Sequence, residues 1–432
     1  MEKIKKILIM ALILLLPYHH QIIYVVMSDF GILRFWKEIV IALLVVITFI
    51  QIVTGKKKIN ISLFEILLIV FMAAVFVYVC VSSSKYQAMY ISRIYIMPMF
   101  LVPVIKYTDI TKQDLKNAIY VVMANTIIIC IWGIFQAQFL GDEFLVDLGY
   151  RTQRVNHMIK LKNEFYILGG GFMQRVASTF AAPNTCGMYL AIVISIVTFL
   201  NKDMQINKVY TYITLGISAV TLLLTFSRTS WIACLAALMV HFILFVKWDK
   251  KTWKKVIICG VSAAILVVIA DILIIRSGIV MAGFKLIFNT VTGRDSSLIG
   301  HFSSWGESVI RIFKHPLGLG LGNNGPRAMK FIKKPNLTES SYFLMAYEVG
   351  ILGAALYFSS YIIATLDNIR LYKETNNKKV LVILSVLIII YLCYLSLPFI
   401  QDFEILVLTY IIVSLQYNKS LTDNLTEERI VV

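Results

Sequence analysis

Four short stretches hold the residues of this 432-residue chain whose types and spacing could do chemistry. The first runs Gln174-Arg175-Val176-Ala177-Ser178-Thr179-Phe180-Ala181-Ala182-Pro183-Asn184 and leads into an apolar run. Pro-Asn at that place is ordinary helix-start chemistry, which leaves Arg175 unexplained. The second, Thr225-Phe226-Ser227-Arg228-Thr229-Ser230-Trp231, sets Arg228 in a tight turn between two apolar runs. The third contains Gly293-Arg294-Asp295-Ser296-Ser297, Gly300-His301, Trp305 and His315-Pro316-Leu317-Gly318-Leu319-Gly320-Leu321-Gly322-Asn323. The fourth is Thr338-Glu339-Ser340-Ser341-Tyr342, with Glu348 and Gly350 behind it.

Arginine suits one task above others: its planar fork holds phosphate oxygens two at a time. Arg175, Arg228 and Arg294 are therefore candidate ligands of a phosphate or diphosphate. An interfacial arginine reaching for water is the bland alternative for Arg228. His301 and Glu339 are the candidate proton acceptors. Thr338 with Ser341 looks like a helix cap, which would put Glu339 in a first helical turn. There the helix dipole favours the carboxylate and works against a base. The glycine run is a weak phosphate signal, and a turn is its simpler reading. No G-x-x-x-x-G-K-[ST] loop, H-E-x-x-H, D-x-D pair or G-x-S-x-G elbow occurs, so ATP-driven transport, a metal-bound nucleotide-sugar donor and hydrolase chemistry are not indicated. Neither a cofactor nor a metal is expected.

The surrounding sequence decides what positions these groups. Apolar residues make up 59% of the chain and charged residues 15%, against about 45–50% and 25% in a soluble domain. The mean hydropathy is +0.80. These values exclude a soluble enzyme, a secreted disulfide scaffold and a disordered chain. Apolar runs lie at about 7–27, 36–54, 61–82, 88–105, 117–138, 184–201, 208–226, 230–247, 256–275, 341–366, 379–397 and 402–416, each near the length a membrane helix needs. The expectation is an all-α polytopic membrane protein of about 12 transmembrane helices. The lysine-rich start, Met1 to Leu16, lacks a small-residue cleavage site and is read as an uncleaved first span. The six cysteines lie in or beside apolar runs and are expected to be buried free thiols.

The net charge is +17, from 41 Lys and Arg against 24 Asp and Glu. In a soluble protein that would suggest nucleic acid; here it is a topology signal, and nucleic acid is not an expected partner. With the N-terminus inside, the short connections carrying Lys3/Lys5/Lys6, Lys56–Lys58, Lys106/Lys112/Lys116, Lys247–Lys255 and Arg370–Lys379 all fall on the cytoplasmic side, as the positive-inside rule requires. Both termini are then cytoplasmic, and 139–183 and 276–340 become outer loops of about 45 and 65 residues, long enough to be functional. Their cations escape the topology rule and suit an anionic ligand. Within the second loop, 298–314 has the pattern of an amphipathic helix lying on the membrane, with Phe302, Trp305, Val309 and Phe313 on one stripe. Residues 1–416 are one integral membrane domain, and 417–432 a polar cytoplasmic tail that frays.

The four clusters, in this order, resemble the O-antigen ligase/polymerase superfamily over about residues 170–365. The matching pieces are Arg175 upstream of Pro183-Asn184, Ser227-Arg228, His315-Pro316-x-Gly318-x-Gly320-x-Gly322, and the Tyr342 helix start with Glu348-x-Gly350 behind it. The resemblance implies a GT-C-like glycosyltransferase, free of metal and nucleotide, at the outer face of a bacterial cytoplasmic (inner) membrane. Its substrate would be an undecaprenyl-diphosphate-linked oligosaccharide in a bed of membrane lipid. Partners would be a chain-length regulator and a flippase of the same pathway. Ligases carry a histidine three residues before the tyrosine, where this chain has Glu339. That departure favours a polymerase of capsule, exopolysaccharide or O-antigen over a ligase. A flippase or other transporter is the rival from a different class, weakened by the lack of similarity between the halves.

Overall fold

The computed structural model describes residues 1–26, 32–155, 158–167, 174–200, 204–245 and 296–422, with isolated positions 254, 288–289 and 292–293 between them. Fourteen α-helices among these residues carry the fold: α1 (Glu2–Leu15), α2 (Trp36–Val53), α3 (Leu63–Val81), α4 (Lys85–Met99), α5 (Leu101–Lys106), α6 (Lys112–Phe139), α7 (Asp142–Asp147), α8 (Pro183–Leu200), α9 (Lys208–Leu224), α10 (Arg228–Phe245), α11 (Ser296–Lys314), α12 (Ser341–Thr375), α13 (Leu381–Ser396) and α14 (Phe403–Ser414). A two-stranded antiparallel hairpin, β1 (Thr152–Val155) and β2 (Met158–Leu161), lies in the first long loop.

Among the described residues, seven helical stretches are long and apolar enough to cross a membrane, and four shorter ones, Lys208–Leu224, Arg228–Ile243, Leu381–Ser396 and Phe403–Tyr417, are apolar. The protein is thus an all-helical, polytopic membrane protein. Eleven of the twelve expected runs are helices; the run at 256–275 and Arg294 lie outside the described residues. Helix ends gather at two poles: α1, α2, α3, α5 and α6 meet at one, and α2, α4, α8, α10, α13 and α14 have their opposite ends at the other. Helix α8 is the axis, buried along nearly its whole length, and its Ser195 hydroxyl meets that of Ser385 in α13 at 2.6 Å. Tyr95, Tyr357, Tyr361, Tyr394 and Tyr410 fill the centre. Of the five described cysteines, Cys130, Cys186, Cys234 and Cys393 are buried thiols, whereas Cys80 is exposed at the end of α3.

The glycine run proves architectural. Helix α12 breaks at Val349 and Gly350, the latter at φ 72°. The segment 316–322 lies in the break: Leu319 N–H donates to Tyr347 O (2.7 Å), Gly320 N–H to Glu348 O (3.1 Å), and Ile351 N–H to Pro316 O (2.9 Å). The groups freed by the break are satisfied by the loop that fills it, as burial demands. The two backbones pass so closely that a Cβ on Gly318 would stand 2.5 Å from Gly350 N, and one on Gly350 would stand 2.6 Å from Pro316 O. Glu348, fully buried, accepts from Gly322 N–H (2.9 Å) and Tyr95 Oη–H (2.5 Å).

Three local expectations change. Thr338 is no cap: its N–H donates to Asn324 Oδ1 (3.0 Å), its hydroxyl accepts from the Asn324 amide, and α12 begins later, at Ser341. Glu339 therefore precedes the helix rather than sitting in its first turn. Helix α11 does form, but its exposed stripe is Ile299, Phe302, Ile310 and Phe313. Trp305 turns inward because its indole N–H donates to Glu339 O (3.3 Å). The start of the tail is anchored too, since Asn418 is buried and its amide donates to Ile105 O and Thr108 O, both at 2.7 Å.

Candidate active site

Arg175 stands on a buried segment. Val176, Ala177, Ser178, Thr179 and Phe180 are all nearly inaccessible. Gly133 of α6 is the slot that admits them, since a Cβ there would lie 2.7 Å from the Val176 side chain. Val176 N–H donates to Leu224 O (3.0 Å), and the Ser178 hydroxyl to Ile129 O (2.6 Å). The guanidinium is then fixed by three neutral oxygens: Nε donates to Thr225 O (2.7 Å), one terminal nitrogen to Glu164 O (2.9 Å), and the other to Asn184 Oδ1 (2.7 Å). Asn184 thus does more than start α8. Two of the five guanidinium N–H donors remain beyond these three bonds. Burial lowers the Arg175 pKa to about 10, with the Glu164 carboxylate resisting and the nearby Arg228 charge adding to the fall. It stays cationic at neutral pH.

Arg228 is the first residue of α10 and is half-buried. Only three residues separate it from the end of α9, and Phe226 closes the turn at φ 50°. Next to Arg228, the Thr229 hydroxyl meets that of Ser396 at 2.7 Å, at the C-terminal end of α13. The same helix end is bound from the other side. The Ser340 hydroxyl donates to Tyr394 O (3.2 Å) and the Ser341 hydroxyl to Leu397 O (2.7 Å). A helix C-terminus offers unpaired carbonyls that need donors, and here the Ser340–Ser341 segment supplies them while Thr229 binds the Ser396 side chain. Arg228 and Glu339 consequently flank one helix end.

His301 reaches the same place from α11. His301, Ser304, Trp305 and Ser308 share one face by helical spacing. Glu339 N–H donates to Ser304 Oγ (3.3 Å), and Ser304 Oγ–H to Leu337 O (3.3 Å). His301 Nδ1 then lies 2.5 Å from Glu339 Oε2, with both side chains partly accessible. The two candidate bases are one pair.

Sequence reasoning missed a second group of charges beside this one. Lys37 and Glu38, both buried at the start of α2, meet Glu404 and Arg93 respectively: Lys37 Nζ is 3.5 Å from Glu404 Oε1, and an Arg93 terminal nitrogen is 3.4 Å from Glu38 Oε1. His19 Nε2 is also 3.5 Å from Glu404 Oε1. Arg327, whose charge is felt by Glu404 and Asp402, has its backbone N–H held by Gln401 Oε1 at 3.1 Å. Ionisable residues inside apolar runs, Glu38 and Glu404, were the signal available.

Residues 213–358 match the family described as O-antigen ligase, a span that holds Arg228, His301, Glu339 and the glycine run, with Arg175 upstream of it. No curated protein matches the chain significantly.

Proposed function

We propose, from the membership of residues 213–358 in the O-antigen ligase/polymerase superfamily, that the chain is a membrane glycosyltransferase that polymerises undecaprenyl-diphosphate-linked oligosaccharide units into a surface polysaccharide. The observation that carries this is that the segments bearing Arg228 and Glu339 both bind the C-terminal end of α13, with His301 paired to Glu339 and Arg175 tied to the turn that carries Arg228. On this reading both termini are cytoplasmic and the long-loop pole faces outward.

The reaction is a displacement at the anomeric carbon of one lipid-linked glycan. The bond from that carbon to the diphosphate oxygen breaks, and its electrons leave with the diphosphate. A sugar hydroxyl of the next lipid-linked unit forms the new bond, and its proton passes to Nε2 of His301. Glu339, against Nδ1, holds the ring and stabilises the imidazolium as it forms. Arg228 and the remaining donors of Arg175 neutralise the departing diphosphate, worth about 3–4 kcal/mol for a well-placed donor. Arg294 is a third candidate for that clamp.

The test is extension of a defined lipid-linked repeat by purified protein. A ladder of products spaced by one repeat supports the polymerase. A single transfer to a second acceptor without a ladder would make it a ligase, and a deletion strain that accumulates single-unit lipid on the inner face would make it a flippase.

A further inference from the structure

The reading above requires two substrates with the same head: the donor and the acceptor each hang from a lipid diphosphate at the same membrane face. One clamp cannot hold both. The second group of charges supplies another. Arg93 lies over the rings of Phe35 (4.8 Å) and Tyr90 (5.0 Å), and Lys330 over Tyr90 from its other neighbour (4.6 Å). Lys37 sits over Phe403 at 4.2 Å. Arg327 joins them, coupled to Tyr90, Glu404 and Asp402. Four cations thus face three carboxylates, Glu38, Asp402 and Glu404. The Nε of Arg93 is buried without a hydrogen-bond partner. Lys37, Arg93 and Arg327 balance the three carboxylates, and the exposed Lys330 brings the group to a net positive charge that an anion can complete. Aromatic faces take up the flat sides of Arg93 and leave its edge donors for oxygens.

A hydrogen bond links this group to the first basin. Thr185 Oγ–H donates to Asp402 Oδ2 at 2.7 Å, and Thr185 follows the Asn184 that holds Arg175. Two cationic basins therefore lie back to back across Thr185 and Asp402. We propose that Lys37, Arg93, Arg327 and Lys330 form a second diphosphate site, which holds the acceptor's carrier while Arg175 and Arg228 hold the donor's. This rests on the polymerase reading.

The test counts bound farnesyl diphosphate, a short polyprenyl diphosphate, on the detergent-solubilised full chain by native mass spectrometry and calorimetry. The wild type binds two equivalents. Arg93→Gln loses one and Arg228→Gln loses the other. Lys330→Gln, at an exposed side chain where folding is not at stake, weakens the same equivalent that Arg93→Gln removes, by about tenfold for a lost charge-assisted bond. A wild type that binds a single equivalent overturns this inference and leaves the proposed function standing, as does second-equivalent binding indifferent to Lys330→Gln. Displacement of the second equivalent by excess phosphatidylglycerol also overturns it, in favour of a phospholipid headgroup. No binding at all removes the proposed function as well.

Discussion

The two poles of the bundle use charge in opposite ways. At the short-loop pole cations that bridge elements meet acids: Lys6 Nζ is 2.6 Å from Asp114 Oδ2, Lys106 meets Glu65, and Lys57 meets Asp109. Buried Lys5 donates to Gln51 Oε1 (2.8 Å) and Tyr107 O (2.9 Å), with Glu2 nearby. The helices start there on capping boxes, Ser62 with Glu65 and Thr111 with Asp114. At the long-loop pole the arginine that matters is held by carbonyl and amide oxygens. Those bonds fix its position and leave its charge uncancelled. The cations paired with acids at the short-loop pole hold the bundle, whereas Arg175, fixed by neutral oxygens, keeps donors for an anion.

The largest effect should come from His301→Ala, which removes the proton acceptor. Loss of a general base costs about 10²–10⁴-fold, so extension of a lipid-linked repeat should fall by that factor with protein level and melting midpoint unchanged. Glu339→Gln keeps the shape of the pair and should cost less. A His301→Ala enzyme that extends normally would clear the imidazole and leave Glu339 as the base. Arg228→Ala comes next, at about 10²–10³-fold for one donor to a developing anion, read in the same extension assay. If it lowered stability as much as activity, the contrast between the poles would fail at its central residue.

Gly350→Ala sharpens the comparison from the side of architecture. The substitution meets both a positive φ and backbone at 2.6 Å, and strain of this kind costs on the order of 1–3 kcal/mol. The melting midpoint should drop, and activity should fall only with the folded fraction. Gly216→Ala, with open space around its Cβ and an ordinary helical backbone, should leave the midpoint level or raise it.

Much of the fold was legible because membrane helices announce themselves by length and apolarity alone. The tight turn before Arg228 and the amphipathic helix at 298–314 followed from the same patterns. The convergence of Arg228, His301 and Glu339 did not, because it depends on which donors satisfy the end of α13, and no local pattern encodes that. Thr338 misled for a similar reason: a threonine ahead of a helix looks like a cap until Asn324, fourteen residues away, claims its hydroxyl. The basin around Lys37 and Arg93 was hidden by the topology argument. Cations near short turns were sorted by side of the membrane, and their burial between α2, α4 and α14 is a tertiary fact.

The smallest effect, and the control for the whole contrast, is Lys6→Ala. Lys6 and Asp114 form a close ion pair, yet both side chains remain about one-third exposed. Water and side-chain entropy reduce such pairs to about 0–1 kcal/mol, and salt screens them further. Asp114 also keeps its capping bonds to Thr111 N–H (2.9 Å) and hydroxyl (2.7 Å) when the lysine is gone, so α6 retains its start. The melting midpoint should therefore move by no more than a degree or two for that energy, the shift should shrink at high salt, and extension of the lipid-linked repeat should equal the wild type. A large loss of extension with a folded protein would mean that charge at the short-loop pole also serves the reaction, and the division of labour between the poles would have to be given up.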